Sequence, residues 1–360
     1  MSKRAVAILA AALVVLLALL IFGQRTSTPV GTGSALVPDL DAALGDLERV
    51  VVTKANGEIV ATLEKRPDNW VVADKNGYVA NAAKLRQALK ALSEAHIVEQ
   101  KTANPELYAR LGVEDLTAAN AAGVSVALTA AGRELPTIIL GNAEGSKFRY
   151  ARRAGEAQSY LIDRNPDVPR AAAQWVDSVV IDVRGDRVRE VTITHGDGEV
   201  IHISKESPEL ANYEVAGVPK GRELSYPGVA NVIGSSLREL SLEDVAPAAA
   251  APDKPTIVEY RTFDGLVVRV TGTKVDDQDW ITLEASVDEA RAAAAAPPAA
   301  AADGAPPAEG AASAPPAADP KAEAARINAK VGGWRYKIAG YQYDQMTRHM
   351  ADLLKAPPPA

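Results

Sequence analysis

Val50-Val51-Val52-Thr53-Lys54-Ala55-Asn56-Gly57-Glu58-Ile59-Val60-Ala61-Thr62-Leu63 has a partner further along the chain, Val191-Thr192-Ile193-Thr194-His195-Gly196-Asp197-Gly198-Glu199-Val200-Ile201-His202-Ile203-Ser204. The offset is 141 residues, from 50 to 191. Each stretch is a β-branched run, an Asn-Gly or Asp-Gly step, and a second β-branched run. Those dipeptides suit a two-residue type I′ turn, because both central residues need φ > 0. Two hairpins are expected. In the second, a two-residue turn pairs His195 with Val200 and Ile193 with His202.

A third strand follows each hairpin, Asn69-Trp70-Val71-Val72 and Asn212-Tyr213-Glu214-Val215. Helical spacing comes next. Leu85, Ala88, Leu89 and Leu92 fall on one face of 82–95, and Val229, Val232, Ile233, Leu237 and Leu240 on one face of 229–240. Strand patterns then return at 124–128 and 137–141, matched by 256–260 and 266–270. Further strands lie at 148–151 and 159–162, matched by 280–283 and 335–338. A helix over about 166–176 closes the first copy, and one over about 343–354 closes the second. The expected architecture is α+β with mainly antiparallel sheet. It is two tandem repeats of a ββ-β-α-ββ-ββ-α unit, over residues 47–178 and 179–355. The first copy has a long connection, 96–123, that contains Leu111-Gly112-Val113. The second has a Pro/Ala stretch there, 246–255, and an insertion at 290–320, where 17 of 31 residues are Ala and 7 are Pro. Pro pairs interrupt helix, and a segment with almost no large apolar side chain buries too little surface to offset its ordering entropy. That insertion and the tail 356–360 are expected to be disordered.

Ahead of the repeats, Lys3 and Arg4 precede an unbroken apolar run of 18 residues, Ala5 to Phe22. As a helix it measures roughly 27 Å, close to the thickness of a bilayer's hydrocarbon core. The charge bias places the N-terminus in the cytoplasm and the body outside. Residues 1–24 are therefore read as a single transmembrane helix and 25–46 as a tether. A cleaved signal peptide is the competing reading. It normally has a shorter apolar region and small residues at its cleavage site, whereas Ile21-Phe22-Gly23 follow here. Both readings export the body.

The chain has 360 residues, a net charge of −7, four histidines and no cysteine. A pI near 5.3 argues against a broad nucleic-acid surface, which needs clustered Lys and Arg. The absence of cysteine excludes disulfides, thiolate metal sites and cysteine nucleophiles.

The repeated hairpin, the Trp70-Val71 strand, the Leu-rich helix, Leu111-Gly112-Val113 and the strand that ends in Gly141 together resemble a bacterial family, domain of unknown function 4340. The resemblance covers about 47–354. It implies an envelope accessory protein at the inner membrane, of the kind associated with ABC-2-type exporters and their auxiliary subunits. It carries over no catalytic residue. The second copy departs from the pattern by lacking the Leu-Gly-Val segment.

Several clusters are candidate sites. His195 and His202 lie diagonally on one face under the two-residue turn, within reach of a metal, but the first copy has Lys54 and Ala61 there and no third ligand is placed. Asp276-Asp277-Gln278-Asp279 offers oxygens to Ca²⁺ but lacks the glycine and distal Glu of an EF-hand loop. Lys147, Arg149, Arg152 and Arg153 form a basic run that suits anionic lipid or glycan, or else one solvated strand face. Gly31-Thr32-Gly33-Ser34 lacks the Lys-Ser/Thr of a phosphate loop, and Gly234-Ser235-Ser236 lies in a helical pattern rather than a nucleophile elbow. Trp70, Trp280 and Trp334 read as core residues, or as a row for sugar rings if exposed. No catalytic, cofactor or metal residue is assigned, and the chain is read as a non-enzyme. The leading expectation is a single-pass accessory or scaffold component of an ABC-type export system. A glycan- or ligand-binding module is the alternative, and a hydrolase the third.

Overall fold

The computed structural model describes residues 33–250, 253–295 and 319–356. The expected span 1–24, the tether up to residue 32, the core of the Ala/Pro insertion at 296–318 and the end of the tail at 357–360 lie outside the described residues. No helix among the described residues is long and apolar enough to cross a membrane. The fold is α+β and mostly antiparallel sheet, as the alternating runs predict. Two compact units form. One holds the residues up to Thr62 together with Ala83–Arg170, and the other holds Leu63–Ala82 and the residues from Ala171 on.

The first sheet begins after a short helix, α1 (Leu40–Ala43). Its strands are β1 (Leu47–Thr53), β2 (Ile59–Lys65), β3 (Trp70–Val72), β4 (Tyr78–Val79), β5 (Ile97–Gln100), β6 (Val124–Ala130), β7 (Arg133–Glu134), β8 (Ile138–Glu144), β9 (Phe148–Arg153) and β10 (Ser159–Ile162). They run in the order β4-β3-β2-β1-β6-β8-β9-β10-β5, with β7 on β6. Helix α2 (Ala82–Ser93) buries Leu85, Ala88, Leu89 and Leu92, the i, i+3, i+4, i+7 stripe expected of it. A one-turn helix, α3 (Tyr108–Leu111), carries the start of the Leu-Gly-Val segment.

That segment docks against β8 and β9 by side chains, with Val113 and Leu111 packed on Ile139 and Tyr150, and by a close approach of its backbone. A Cβ on Gly141 would lie 2.2 Å from the Leu111 carbonyl and 2.8 Å from a Val113 methyl, so only glycine allows the approach. Arg152, 2% exposed, then satisfies the buried carbonyls. Its Nε donates to Val113 O at 2.8 Å, its Nη1 to Glu156 O at 2.9 Å, and its Nη2 pairs with Asp115 at 2.5 Å. The guanidinium lies 4.5 Å over the Tyr108 ring. Arg153 is also buried, with Nε donating to Leu36 O at 2.8 Å. Arg149 donates to Gly141 O at 2.9 Å and to Pro166 O at 2.5 Å. Burial pulls its guanidinium pKa below the ordinary value. The basic run of β9 is therefore neither an anion-binding surface nor a solvated face. It is a set of forked donors that closes loop carbonyls onto the sheet.

The first copy does not close with a helix at 166–176. Pro166 and Pro169 withhold amide donors and push their preceding residues out of the helical region. Only a 3₁₀ turn forms at Ala172–Gln174, which leads into Trp175, 1% exposed. Segment 63–82 joins the second unit here. The Asn81 amide donates to Trp175 O at 2.7 Å, and Tyr78 meets Trp334 edge-on at 5.0 Å.

In the second unit the strands are β11 (Val179–Ile181), β12 (Val188–Thr194), β13 (Val200–Ser204), β14 (Glu214–Val215), β15 (Leu240–Pro247), β16 (Thr256–Thr262), β17 (Leu266–Val275), β18 (Gln278–Val287) and β19 (Trp334–Ile338). Their order is β11-β15-β19-β18-β17-β16-β12-β13-β14. The helix expected over 229–240 shrinks to one turn, α4 (Asn231–Gly234), because Ser235 and Ser236 bond back to the Asn231 and Ile233 carbonyls at 2.8 Å each and end it. Strand β15 occupies 240–247, a strand not expected from the sequence, and reaches into the Pro/Ala connection only at 246–247.

The insertion is helical at both described ends. Helix α5 (Glu289–Ala295) follows β18, and α6 (Pro320–Val331) starts at an Asp319 cap with Pro320 in its first turn. Asn328 fastens α6 to β18 by bonding both the N–H and the C=O of Ala285, at 2.8 and 2.7 Å. Glu323 fastens it to Arg187, whose Nη atoms reach the carboxylate at 3.0 and 2.7 Å. The disordered reading is thus corrected at residues 290–295 and 320. The closing helix at 343–354 is also split, into α7 (Gly340–Met346) and α8 (Met350–Leu353).

Substituting Gly141→Ala should lower stability by about 1–3 kcal/mol, the scale of overpacking against unyielding backbone. Gly45→Ala, with nothing within 4 Å of its new methyl, should stay within about 0.5 kcal/mol. Urea unfolding of the two variants checks this, with equal midpoints as the contrary result.

Candidate functional site

The second hairpin does not turn in two residues. The His195 amide donates to Glu199 O at 2.9 Å and Gly198 N to His195 O at 3.0 Å, so Gly196-Asp197-Gly198 forms a three-residue loop. Thr194 then faces Val200, and Thr192 faces His202. A one-residue change of register flips side chains to the opposite face. His195 therefore joins Val191, Ile193, Ile201 and Ile203 on the buried face and is 6% exposed. His202 stays on the other face, where its Nδ1 meets Thr192 Oγ1 at 3.2 Å. The His195–His202 pair expected from a two-residue turn does not form.

His195 has another partner. The split between α7 and α8 leaves His349 as the cap of α8, with its amide donating to Asp352 at 2.9 Å. The His349 ring stacks on His195, centroids 3.8 Å apart and 14° from parallel. His349 Nδ1 bonds Glu199 Oε2, and the Met350 amide donates to Glu199 Oε1 at 3.1 Å. His195 Nε2 lies 3.3 Å from Arg348 O. His195, Glu199 and His349 thus bring two imidazoles and a carboxylate together, with donor atoms all within 4.8 Å of one another. It is the one such group of metal-type donors among the described residues. Beside it the Glu199 amide donates to Asp197 at 2.9 Å and, aided by the two histidines, holds that carboxyl below its ordinary pKa.

His195 and His349 line an open cleft of about 750 Å³, together with Lys254, Thr256, Lys274, Tyr343 and Asp352. Gly196 admits the far wall, because a Cβ there would lie 2.1 Å from the Lys254 carbonyl. The first hairpin has the same loop length, with Lys54 N donating to Glu58 O at 2.9 Å. There Lys54, not histidine, faces the glutamate in a 2.8 Å ion pair.

The other candidates take structural places. Asp276 and Asp277, both at positive φ, form the two-residue turn between β17 and β18, and Asp279 pairs with Lys274 at 3.5 Å. Ser236 Oγ is buried against Tyr260 OH at 2.7 Å. Trp334 is half-buried against Tyr78, and Trp280 is half-buried under Arg335, whose guanidinium carbon is 4.6 Å from the ring. Trp70 is half-buried as well.

A family profile described as Domain of unknown function (DUF4340) matches residues 70–257, more than half of the chain. The chain belongs to the DUF4340 family. No curated protein and no solved structure matches it. The DUF4340 match spans His195 and Glu199 but stops short of His349. The sequence spacing of His195 and Glu199 carried the first half of the cluster once the loop length is known. Nothing in the chain pattern marked His349 as its third member.

The Glu199–His349 contact is partly open to solvent, with side-chain exposures of 33% and 47%, so its coupling should be modest. A double-mutant cycle of Glu199→Gln and His349→Ala, read by unfolding free energy, should give about 0.5–1 kcal/mol of coupling. Strict additivity is the contrary result.

Proposed function

We propose that this DUF4340 protein is a membrane-anchored accessory or scaffold component of an ABC-type export system. In this reading residues 1–24 span the inner membrane, with the N-terminus in the cytoplasm and both units outside. The body is two copies of one unit. Support for the duplication comes from the two sheet orders, β3-β2-β1-β6-β8-β9-β10-β5 and β14-β13-β12-β16-β17-β18-β19-β15, which run in step. Further support is that Lys54–Glu58 and His195–Glu199 fall at the same place in the two hairpins.

The observation that carries the docking role is that both sheets are open and end on short strands. An unpaired strand edge is a template for backbone pairing with another chain. At the β5 end of the first sheet residues 33–34 cap Ile97 through Gly33 N and Ser34 O, and the stretch beyond it, with Val98 43% exposed and Glu99 exposed, is left for docking. The anchor confines such an edge to the membrane plane and raises its effective concentration for a membrane partner. The family resemblance favours an ABC-2-type permease or its auxiliary subunit. The glycan-binding alternative has less support, since Trp280 and Trp334 are each covered on one side by Arg335 or Tyr78.

A photo-crosslinking residue at position 98 of the full-length chain in intact cells should capture a transporter permease or auxiliary subunit. The same residue at 200, on the exposed hairpin end, should capture much less, and so should position 98 in a chain lacking 1–24. Crosslinks only to glycan or to a second copy of this chain would sink the transporter reading.

A further inference from the structure

We propose that His195, Glu199 and His349 bind a divalent transition-metal ion of the zinc class, which ties the tip of the β12–β13 hairpin to the C-terminal helix α8. This goes beyond the accessory role and does not depend on it.

The donor set points to the class of ion. Two imidazoles and one carboxylate suit Zn²⁺ and its first-row neighbours. Mg²⁺ and Ca²⁺ take all-oxygen shells. With both rings in the neutral form that a metal ligand requires, the hydrogen bonds place the lone pairs. A carbonyl only accepts, so His195 Nε2 donates to Arg348 O and Nδ1 keeps its lone pair. A carboxylate only accepts, so His349 Nδ1 donates to Glu199 and Nε2 keeps its lone pair. An imidazole that hands one N–H to a backbone carbonyl and offers the other nitrogen is the usual arrangement of a metal-ligating histidine. The Met350 amide fixes one Glu199 oxygen in the same way.

The stacked rings set the one motion that binding requires. Lone pairs lie in the ring planes, and planes 14° from parallel cannot both aim at one ion. Tetrahedral zinc at about 2.0–2.1 Å from each donor needs donors about 3.4 Å apart, closer than the 4.8 Å span of the cluster. His195 is held in the buried face. His349 has a side chain 47% exposed and lines the cleft, so a change of its rotamer gives up the bond to Glu199, frees that carboxylate oxygen for the ion and brings the third donor in. His195 and His349 line the cleft, so an ion held between them is reached from it. Asp253, Asp344 and Asp352 on the cleft walls balance Lys254, Lys274 and Arg348, so the entrance does not repel a cation. The first hairpin gives an independent hint. Where His195 stands it has Lys54, whose charge meets Glu58 at 2.8 Å. In the second hairpin an imidazole replaces that ammonium, and a bound cation would place charge beside the glutamate.

The test is calorimetric titration of the chelator-treated full-length chain in mild detergent with Zn²⁺, with metal content counted after dialysis. One zinc per chain is expected, and no heat from Mg²⁺. His349→Ala and Glu199→Gln should each weaken binding at least tenfold, while His202→Gln, on the opposite face, leaves it unchanged. Since His349 is exposed, its variant should keep the wild-type circular dichroism. Absence of stoichiometric zinc overturns the proposal. So does unchanged affinity in His349→Ala, or an equal loss in His202→Gln.

Discussion

The bond from the His195 amide to the Glu199 carbonyl closes a loop of three residues, and every side chain of the β12–β13 hairpin takes its face from it. With period-two alternation, that count puts Val191, Ile193, His195, Ile201 and Ile203 inward and Thr192, Thr194 and His202 outward. A loop of two residues would have turned one strand over against the other. The cleft beside the hairpin tip follows from the same bond. It brings Glu199 level with His195, and the break between α7 and α8 delivers His349 to both.

The first unit solves a different problem with its own buried cations. A loop that packs by its carbonyls needs donors, because an unmet buried carbonyl costs about 1–3 kcal/mol. Arg152 and Arg153 supply them from the strand beneath, and Gly141 lets the loop come close enough to be reached. Removing Arg152 alone would leave Val113 O and the Asp115 carboxylate without their partner. The arginines of β9 are thus fold elements, and the surface chemistry they suggested as a linear run disappears once their exposure is known.

Much of the architecture was legible because it rests on periodicity. The two hairpins, the Leu85–Leu92 stripe of α2 and the paired strands β16–β19 follow from where apolar residues recur. The turn count was not legible, since Asp-Gly fits a two-residue and a three-residue loop equally well, and with it went the partner of His195. The segment at 166–176, expected as a helix by analogy with the close of the second copy, is not one, because the missing amides of Pro166 and Pro169 decide the matter. Helix α6 was hidden behind the Ala/Pro run, although Asp319-Pro320 is a recognisable start. His349 was invisible as a ligand because it comes from a segment 150 residues from Glu199, and only the tertiary fold brings the two together.

X-ray absorption at the zinc edge on the full-length chain loaded with one equivalent of Zn²⁺ tests the cluster most directly. The account predicts a first shell of nitrogen and oxygen at about 2.0–2.1 Å with the outer-shell scattering of two imidazoles, and loss of one imidazole in His349→Ala. A shell of oxygen alone, or a two-imidazole spectrum that persists in His349→Ala, would contradict it.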